Sequence, residues 1–188
     1  MVERTLTSTR NISTTVEVDR NLIDFYNDYP VNSQWGYYSS ASLSEEAKAS
    51  LYPILELYTL EESKAEAANL LLNFVQTAFD YKTDDEQFGY ERPLFGEETL
   101  YYPYCDCEDR SILYSILVRD LLGLDVVLLH YPGHLATAVK FNEEVYGDCI
   151  VLDGEKYVVC DPTYIGANIG EAMPDYKNVS VIVQRIGR

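Results

Sequence analysis

The sequence predicts an α+β domain in which helices precede an antiparallel sheet. Apolar residues recur at spacings of three and four between residues 43 and 122, and from residue 126 onward they follow a spacing of two. The pair Asp153-Gly154 between two of the alternating segments is a strong hairpin signal. Helical segments followed by hairpin-linked strands are typical of the α+β class.

The first elements are a strand or extended arm and a helix. Residues 4–20 alternate polar and β-branched side chains, which predicts the strand or arm. The helix is predicted from Ser42, because Ser42 and Glu45 resemble a capping box. Pro53 lacks an amide proton, so we expect a kink or break there.

A second capping pattern, Thr59 to Glu62, predicts the start of the clearest helix, which ends near Tyr81. Its apolar residues form a stripe that faces the core. They are Ala65, Ala68, Leu72, Val75 and Phe79.

Residues 84–104 are rich in glycine, proline and aromatic side chains and are predicted to form a loop, which could contain a short helix at Glu97–Leu100. A loop of this length inside a compact domain is uncommon and often functional. The next helix is predicted from Cys107 to Leu122, with Gly123 as its C-terminal stop.

After Gly123 the pattern predicts strands. They are Val126–Tyr131, Leu135–Phe141, Cys149–Leu152, Lys156–Cys160 and Val179–Ile186.

Charge and hydropathy exclude several partners. With 14 Lys and Arg against 31 Asp and Glu among 188 residues, the formal net charge is −17. This acidity argues against binding to nucleic acid or to an anionic membrane surface. No apolar run is long enough to insert in a membrane, and the first residues contain no apolar signal core. We expect residues 1–40 to form an N-terminal segment and residues 41–188 a single domain, and the chain could be excised from a longer protein.

The cysteines do not indicate a disulfide scaffold. Four are present, which is too few for such a scaffold at this length. Zinc is also a poor fit, because Cys105-x-Cys107 lacks the usual ligand spacing and no second ligand pair follows.

Three residues at element boundaries carry the chemistry of a nucleophilic site. Cys107 begins a predicted helix, where unpaired backbone N–H groups or a nearby imidazolium would lower its thiol pKa. His134 begins a strand, and Asp161 follows a strand that would be its neighbour. Each also has a structural interpretation, as a packed thiol, a hydrogen-bonded histidine and a turn former.

The sequences around these residues resemble those of the transglutaminase-like superfamily. Asp106–Ser111 reads Asp-Cys-Glu-Asp-Arg-Ser and is followed by an apolar helix and Leu-Gly-Leu-Asp-Val at 122–126. Gly133–Ala136 (Gly-His-Leu-Ala) and Val159–Thr163 (Val-Cys-Asp-Pro-Thr) resemble the base and orienter segments of that superfamily. The resemblance covers residues 97–165, and the chain resembles transglutaminase-like proteins of Bacteroidetes.

The resemblance implies a papain-like fold in which a nucleophile helix packs on an antiparallel sheet. It also implies that Cys107 is the nucleophile, His134 the general base and then acid, and Asp161 the orienter. Cys105 stands where the superfamily more often has Gly, so it competes with Cys107. His130 competes with His134, but no Gly precedes it.

The oxyanion donor is open. The backbone N–H of Cys107 is one candidate, and a side-chain donor could come from Gln34, Trp35 or Gln87.

The acidic residues beside the nucleophile have two interpretations. Asp106, Glu108 and Asp109 could bind Ca²⁺, as in related periplasmic cysteine proteases that this segment resembles. Otherwise they cap the helix and pair with Arg110, and no cofactor is then required.

The function predicted is that of a cysteine peptidase or amidase acting through a thioester, with a peptide or protein as substrate and the 84–104 loop as a groove wall. Transfer of the acyl group to an amine, as in transglutaminases, is the alternative, as is a catalytically silent peptide-binding module. A redox or metal module around Cys105-x-Cys107 is a third. The resemblance favours export to the periplasm or envelope. Oligomeric state and substrate sequence stay open.

Overall fold

The computed structural model describes residues 1–187 and is α+β, as predicted. Its α-helices lie mostly in the first two thirds of the chain. They are α1 (Arg20–Asn27), α2 (Trp35–Ser40), α3 (Glu45–Thr59), α4 (Lys64–Thr77), α5 (Asp84–Gln87), α6 (Gly96–Tyr101) and α7 (Cys107–Leu117). A π-helical turn, Val118–Leu122, extends α7, and a 3-10 turn covers Pro174–Tyr176.

The strands form two short pairs and one larger sheet. They are β1 (Val2–Thr7), β2 (Ser13–Val18), β3 (Asp80–Tyr81), β4 (Tyr104–Cys105), β5 (Asp125–Tyr131), β6 (His134–Lys140), β7 (Cys149–Leu152), β8 (Glu155–Cys160) and β9 (Ile182–Arg185). β1 and β2 form an antiparallel hairpin, and β3 pairs with β4 in parallel.

The larger sheet is antiparallel with the strand order β7-β8-β6-β5-β9. One face packs against the helices, with Val126 and Val139 in the main core. The other face is covered by the chain that follows β8, and Val127 and Ala138 lie in this second cluster. Because both faces are buried, β5 is nearly continuous in apolar residues.

The nucleophile-candidate helix α7 lies at the centre of the molecule. All of its residues are buried, including Glu108, Asp109 and Arg110. It packs on β6 and is surrounded by α2, α4 and α6. The β1–β2 hairpin packs on α3 and adds side chains such as Leu6 and Val16 to the same core.

The predicted starts of the two long helices are wrong. The N-caps are Ser44 and Ser63, not Ser42 and Thr59, and each of the two serine hydroxyls accepts a hydrogen bond from the amide three residues on. Thr59 instead ends α3. That helix also continues through Pro53, where we expected a kink or break.

The later elements agree with prediction more closely. α7 begins at Cys107 as predicted, and Gly123 ends the helical segment with a left-handed φ of 67°. β7 and β8 form the predicted hairpin at Asp153-Gly154. Other elements differ from expectation, and they include α1 and α2, for which no helix was predicted. The N-terminal arm is a two-stranded hairpin, and the 84–104 loop contains α5 as well as the predicted short helix.

A close backbone approach fixes the segment that covers the outer sheet face. Gly147 has a φ of +134°, and a Cβ there would lie 2.5 Å from the Cα and carbonyl oxygen of Gly170.

Gly147→Ala should therefore lower the free energy of unfolding by about 2 kcal/mol, since it combines a disfavoured φ with a backbone clash. Urea denaturation measures this. Gly154→Ala, which also has positive φ but no atom within 4 Å, is the control and should lose about 1 kcal/mol. Equal losses would show that the approach to Gly170 carries no strain.

Candidate active site

Cys107 occupies the first position of α7, and Asp106 alone separates it from the short strand β4. It is 8 % exposed. The helix start is held by Asp109, whose carboxylate accepts the backbone N–H groups of Asp106 (3.2 Å) and Leu94 (2.8 Å). The Cys107 side chain therefore lies at the end of a helix where backbone N–H groups have no partner within the helix.

His134 and Asp161 are brought together by the pairing of β6 with β8. The register aligns Thr137 with Cys160, so the residue after β8 lies beside the start of β6. His134 Nε2 is 2.8 Å from Asp161 Oδ2. With Nε2 bonded to a carboxylate, a neutral imidazole carries its proton on Nε2 and leaves Nδ1 as an acceptor.

Two tyrosines stack on the His134 ring, and neither was predicted as a site residue. The Tyr176 ring lies 4.7 Å from the His134 ring at an interplanar angle of 16°, and Tyr131 lies 6.4 Å away at 21°. Tyr176 comes from a 3-10 turn with no periodic pattern. These contacts hold the plane of the imidazole.

The Asp161 segment is tied to the helices through Gln76 of α4. The Gln76 side-chain amide donates hydrogen bonds to the carbonyl oxygens of Asp161 (3.1 Å), Tyr164 (2.9 Å) and Ala167 (3.0 Å). The Gln76 backbone carbonyl accepts a hydrogen bond from Arg110 of α7 at 3.1 Å. One residue thus bonds both to α7 and to the loop that begins at Asp161.

The segments that carry Cys107 and His134 meet at the sulfur. Cys107 packs in one cluster with Leu135, the residue after His134, and the Leu135 backbone amide lowers the pKa of the Cys107 thiol against the larger effect of burial. Cys107 and His134 also line the same pocket, which has a volume of about 420 Å³. Trp35 and His130 contribute to its wall.

In this arrangement the thiol is held protonated. It donates a hydrogen bond to Glu108 Oε2 over 2.8 Å. Burial raises the pKa of the Cys107 thiol well above its ordinary value, and the Glu108 carboxyl group raises it further. The lowered thiol pKa expected from the helix start is therefore wrong here, because desolvation and a carboxyl neighbour outweigh the helix N-terminus.

This local chemistry predicts a large change in alkylation. Glu108→Gln should speed the reaction of Cys107 with iodoacetamide by about tenfold above pH 9, where the Glu108 carboxyl group is ionised, because removing that charge lowers the thiol pKa and gives more thiolate at the same pH. The increase in rate with pH should also move to lower pH. Mass spectrometry resolves each cysteine, and exposed Cys149 is an internal control whose rate should not change. An unchanged Cys107 profile would show that Glu108 does not govern the thiol.

Carboxyl groups cluster beside Cys107. Burial, a hydrogen bond to Glu91 and the charge of Asp106 together raise the pKa of Glu108 to about 9. Burial, with the charges of Asp106 and Glu91, raises the pKa of Asp84 to about 7. Buried Asp109 also has a pKa well above its ordinary value, with burial as the main cause. Asp84 and Glu91 were not among the predicted residues, since the loop that carries them has no motif.

These carboxylates have the donor chemistry of a hard cation site, but not in the predicted set. The groups whose ligand atoms lie within 4.8 Å of one another are Asp84–Asp106–Asp109, Asp84–Glu91–Glu108 and Asp106–Cys107–Glu108. The calcium set Asp106, Glu108 and Asp109 is not among them in residues 1–187, because Asp109 turns inward to cap the helix.

Arg110 does not pair with these acids as the alternative interpretation expected. Its guanidinium is 1 % exposed and donates to the backbone carbonyl oxygens of Gln76 and Phe79 and to Cys105 Sγ. Arg110 therefore fastens α7 to the end of α4.

The competing nucleophile and base occupy different environments. Cys105 is 1 % exposed, does not line the pocket, and burial raises its pKa to about 12. His130 lines the pocket, and its ring packs at 4.6 Å on Trp35 rather than on a carboxylate.

The three side-chain oxyanion candidates separate in the structure. Gln34 is the exposed residue before α2, Gln87 ends α5, and neither lines the pocket. Trp35 does line it, and its indole Nε1 is buried without a hydrogen-bond partner among the described residues.

No protein-family model matches this sequence, and no curated protein is significantly similar to it. Among residues 1–187, no helix combines the length and the apolar character that crossing a bilayer requires.

Proposed function

We propose that the chain is a cysteine hydrolase that cleaves an amide bond through Cys107, His134 and Asp161. The observation that carries this proposal is that Cys107, at a helix start, lines one pocket with a histidine whose second nitrogen is bonded to a buried carboxylate. A nucleophile, a base and a residue that orients the base are the parts that nucleophilic catalysis requires.

The reaction begins when the thiol leaves Glu108 and gives its proton to His134 Nδ1. Sγ attacks the substrate carbonyl carbon and forms a C–S bond, and the carbonyl oxygen takes the negative charge. Collapse of this intermediate breaks the C–N bond, and His134 passes its proton to the departing amine. Water, deprotonated by His134, then hydrolyses the thioester and restores the thiol.

Two donors suit the developing oxyanion. One is the backbone N–H of Cys107, and the other is the unpartnered indole N–H of Trp35. Either would stabilise charge that exists only in the transition state and the tetrahedral intermediate.

The architecture also supports a papain-like, transglutaminase-like fold as part of the proposal. The buried helix α7 begins at the nucleophile and packs on β6 of an antiparallel sheet. The same acyl-enzyme could pass its acyl group to an amine instead of water, so the choice between hydrolysis and transamidation depends on the acceptor.

The two histidines offer a matched test. An activated peptide ester should acylate Cys107, and mass spectrometry of the Cys107 peptide detects the added acyl group. His134→Gln should slow this acylation by about 10²–10⁴-fold, whereas His130→Gln, in the same pocket but not bonded to Asp161, should change it less than fivefold.

The outcomes separate the candidate functions. Loss of acylation in His130→Gln but not in His134→Gln would overturn the assignment of the base. If the native chain is not acylated, the catalytically silent peptide-binding module becomes the favoured function. Product formed on a fluorescent amine rather than on water would identify a transamidase.

A further inference from the structure

The pocket beside Cys107 has one wall rich in carboxyl groups, which we call the acidic wall. Five carboxyl groups line it, and they come from the segment around α5 and from the start of α7. They are Asp84, Asp85, Glu91, Asp106 and Glu108. In the part of the chain that the structure describes, no lysine or arginine lines this pocket.

The basic side chains nearest in sequence to this wall have other partners. Lys82 places its ammonium nitrogen 4.2 Å from the centre of the Tyr104 ring. Arg92 pairs with Glu98, and Arg110 donates to backbone carbonyls. The protein therefore leaves the acidic wall uncompensated by its own cations.

One oxygen of the wall lacks a partner. Asp106 is 6 % exposed, and its Oδ1 is buried without a hydrogen-bond partner in residues 1–187. A buried carboxylate oxygen without a donor is costly, and a bound positive charge would satisfy it. Asp106 lines the same pocket as Cys107, so the charge would lie close to the reacting atoms.

The rest of the pocket is suited to an organic cation rather than a bare metal ion. Trp35, Tyr81 and Leu135 add apolar surface to the same pocket, and Asp85 and Glu91 are exposed. Lysine and arginine side chains lay their aliphatic stems along apolar surface while the charged end reaches polar groups. An aromatic face also attracts the charged end itself.

We infer that the acidic wall binds the ammonium or guanidinium group of a basic residue adjacent to the scissile amide, so that the substrate is a basic peptide. Calling the bound peptide a substrate rests on the proposed function, but the binding of a basic amino-acid amide is testable without any turnover. The net charge of −17 assists the approach of such a peptide.

The test uses the fluorescence of Trp35, which is the chain's one tryptophan and lines the pocket. The full chain carrying Cys107→Ser is titrated, in buffer freed of metal ions, with acetyl-lysine amide, acetyl-arginine amide and uncharged acetyl-norleucine amide. The two basic amides should shift the fluorescence with at least about tenfold higher affinity than the norleucine compound, and added salt should weaken them.

Variants of exposed wall residues locate the binding. Asp85→Asn and Glu91→Gln should each weaken the basic amides by about threefold to tenfold and leave the norleucine amide unchanged. Glu61→Gln removes the same charge at an exposed position outside the pocket and should have no effect.

Two results would overturn the inference. Equal affinity for lysine and norleucine amides would show that apolar contact alone selects the ligand. A fluorescence change with micromolar Ca²⁺ that also blocks the lysine amide would assign the carboxylates to a metal ion. If the chain binds basic amides but never forms an acyl-enzyme, this inference stands and the proposed function is wrong. If it cleaves neutral peptides as well as basic ones, the proposed function stands and this inference is wrong.

Discussion

Cys107→Ser is expected to lower catalysed amide hydrolysis by at least about 10³-fold. Serine keeps nearly the size and the hydrogen-bonding capacity of cysteine, so the start of α7 should be preserved. Its hydroxyl is far harder to deprotonate than a thiol, and the Cys107 sulfur in this pocket already hydrogen-bonds to Glu108. Initial rates over a fluorogenic peptide library measure the effect.

The control for this prediction is Cys149→Ser. Cys149 is exposed on β7 and does not line the pocket, so the substitution should keep at least about half of the native rate. Circular dichroism of both variants should match the native chain. Activity that survives Cys107→Ser but is lost in Cys105→Ser would reassign the nucleophile to the competing cysteine.

Arg110→Met is expected to lower the free energy of unfolding by about 4 kcal/mol. The guanidinium N–H groups donate to the carbonyl oxygens of Gln76 at 3.1 Å and Phe79 at 2.9 Å. Methionine fills much of the space but leaves both buried carbonyls without these donors, and each unsatisfied group costs about 1–3 kcal/mol. Urea denaturation, followed by far-ultraviolet circular dichroism, measures the loss.

Arg10→Met is the matched control. Arg10 pairs with Glu66 at 3.0 Å, but both side chains are more than one-third exposed, so its removal should change stability by less than about 1 kcal/mol. A loss below about 1 kcal/mol in Arg110→Met as well would mean that the two carbonyls find other donors.

Local pattern was sufficient for the elements that surround the candidate site. The start of α7 at Cys107, the stop at Gly123 and the hairpin at Asp153-Gly154 depend on neighbouring residues, and the structure places them where the sequence indicated. The starts of α3 and α4 were missed because each region offers more than one capping hydroxyl. The caps are Ser44 and Ser63, and periodicity alone does not rank neighbouring hydroxyl residues.

The candidate site was predictable only where a motif marked it. The residues Cys107, His134 and Asp161 each follow a local signal, and antiparallel pairing was enough to place the last two together. The effect of burial on the pKa of the Cys107 thiol could not be predicted from the sequence, since desolvation depends on everything packed around the sulfur. Glu91 and Tyr176 come from loops, where sequence pattern gives no distances.

The bonding of Gln76 has a consequence for how the molecule opens. Its side-chain amide donates hydrogen bonds to three carbonyl oxygens of the segment that begins at Asp161. Its backbone carbonyl accepts a hydrogen bond from Arg110, which lies on α7 three residues after Cys107. Neither α7 nor the 161–167 segment can therefore detach without breaking hydrogen bonds at Gln76 of α4. In terms of local unfolding, α7 and the 161–167 segment form one cooperative unit. Local opening of the native state should thus release the Cys107 helix and Asp161 together rather than one at a time.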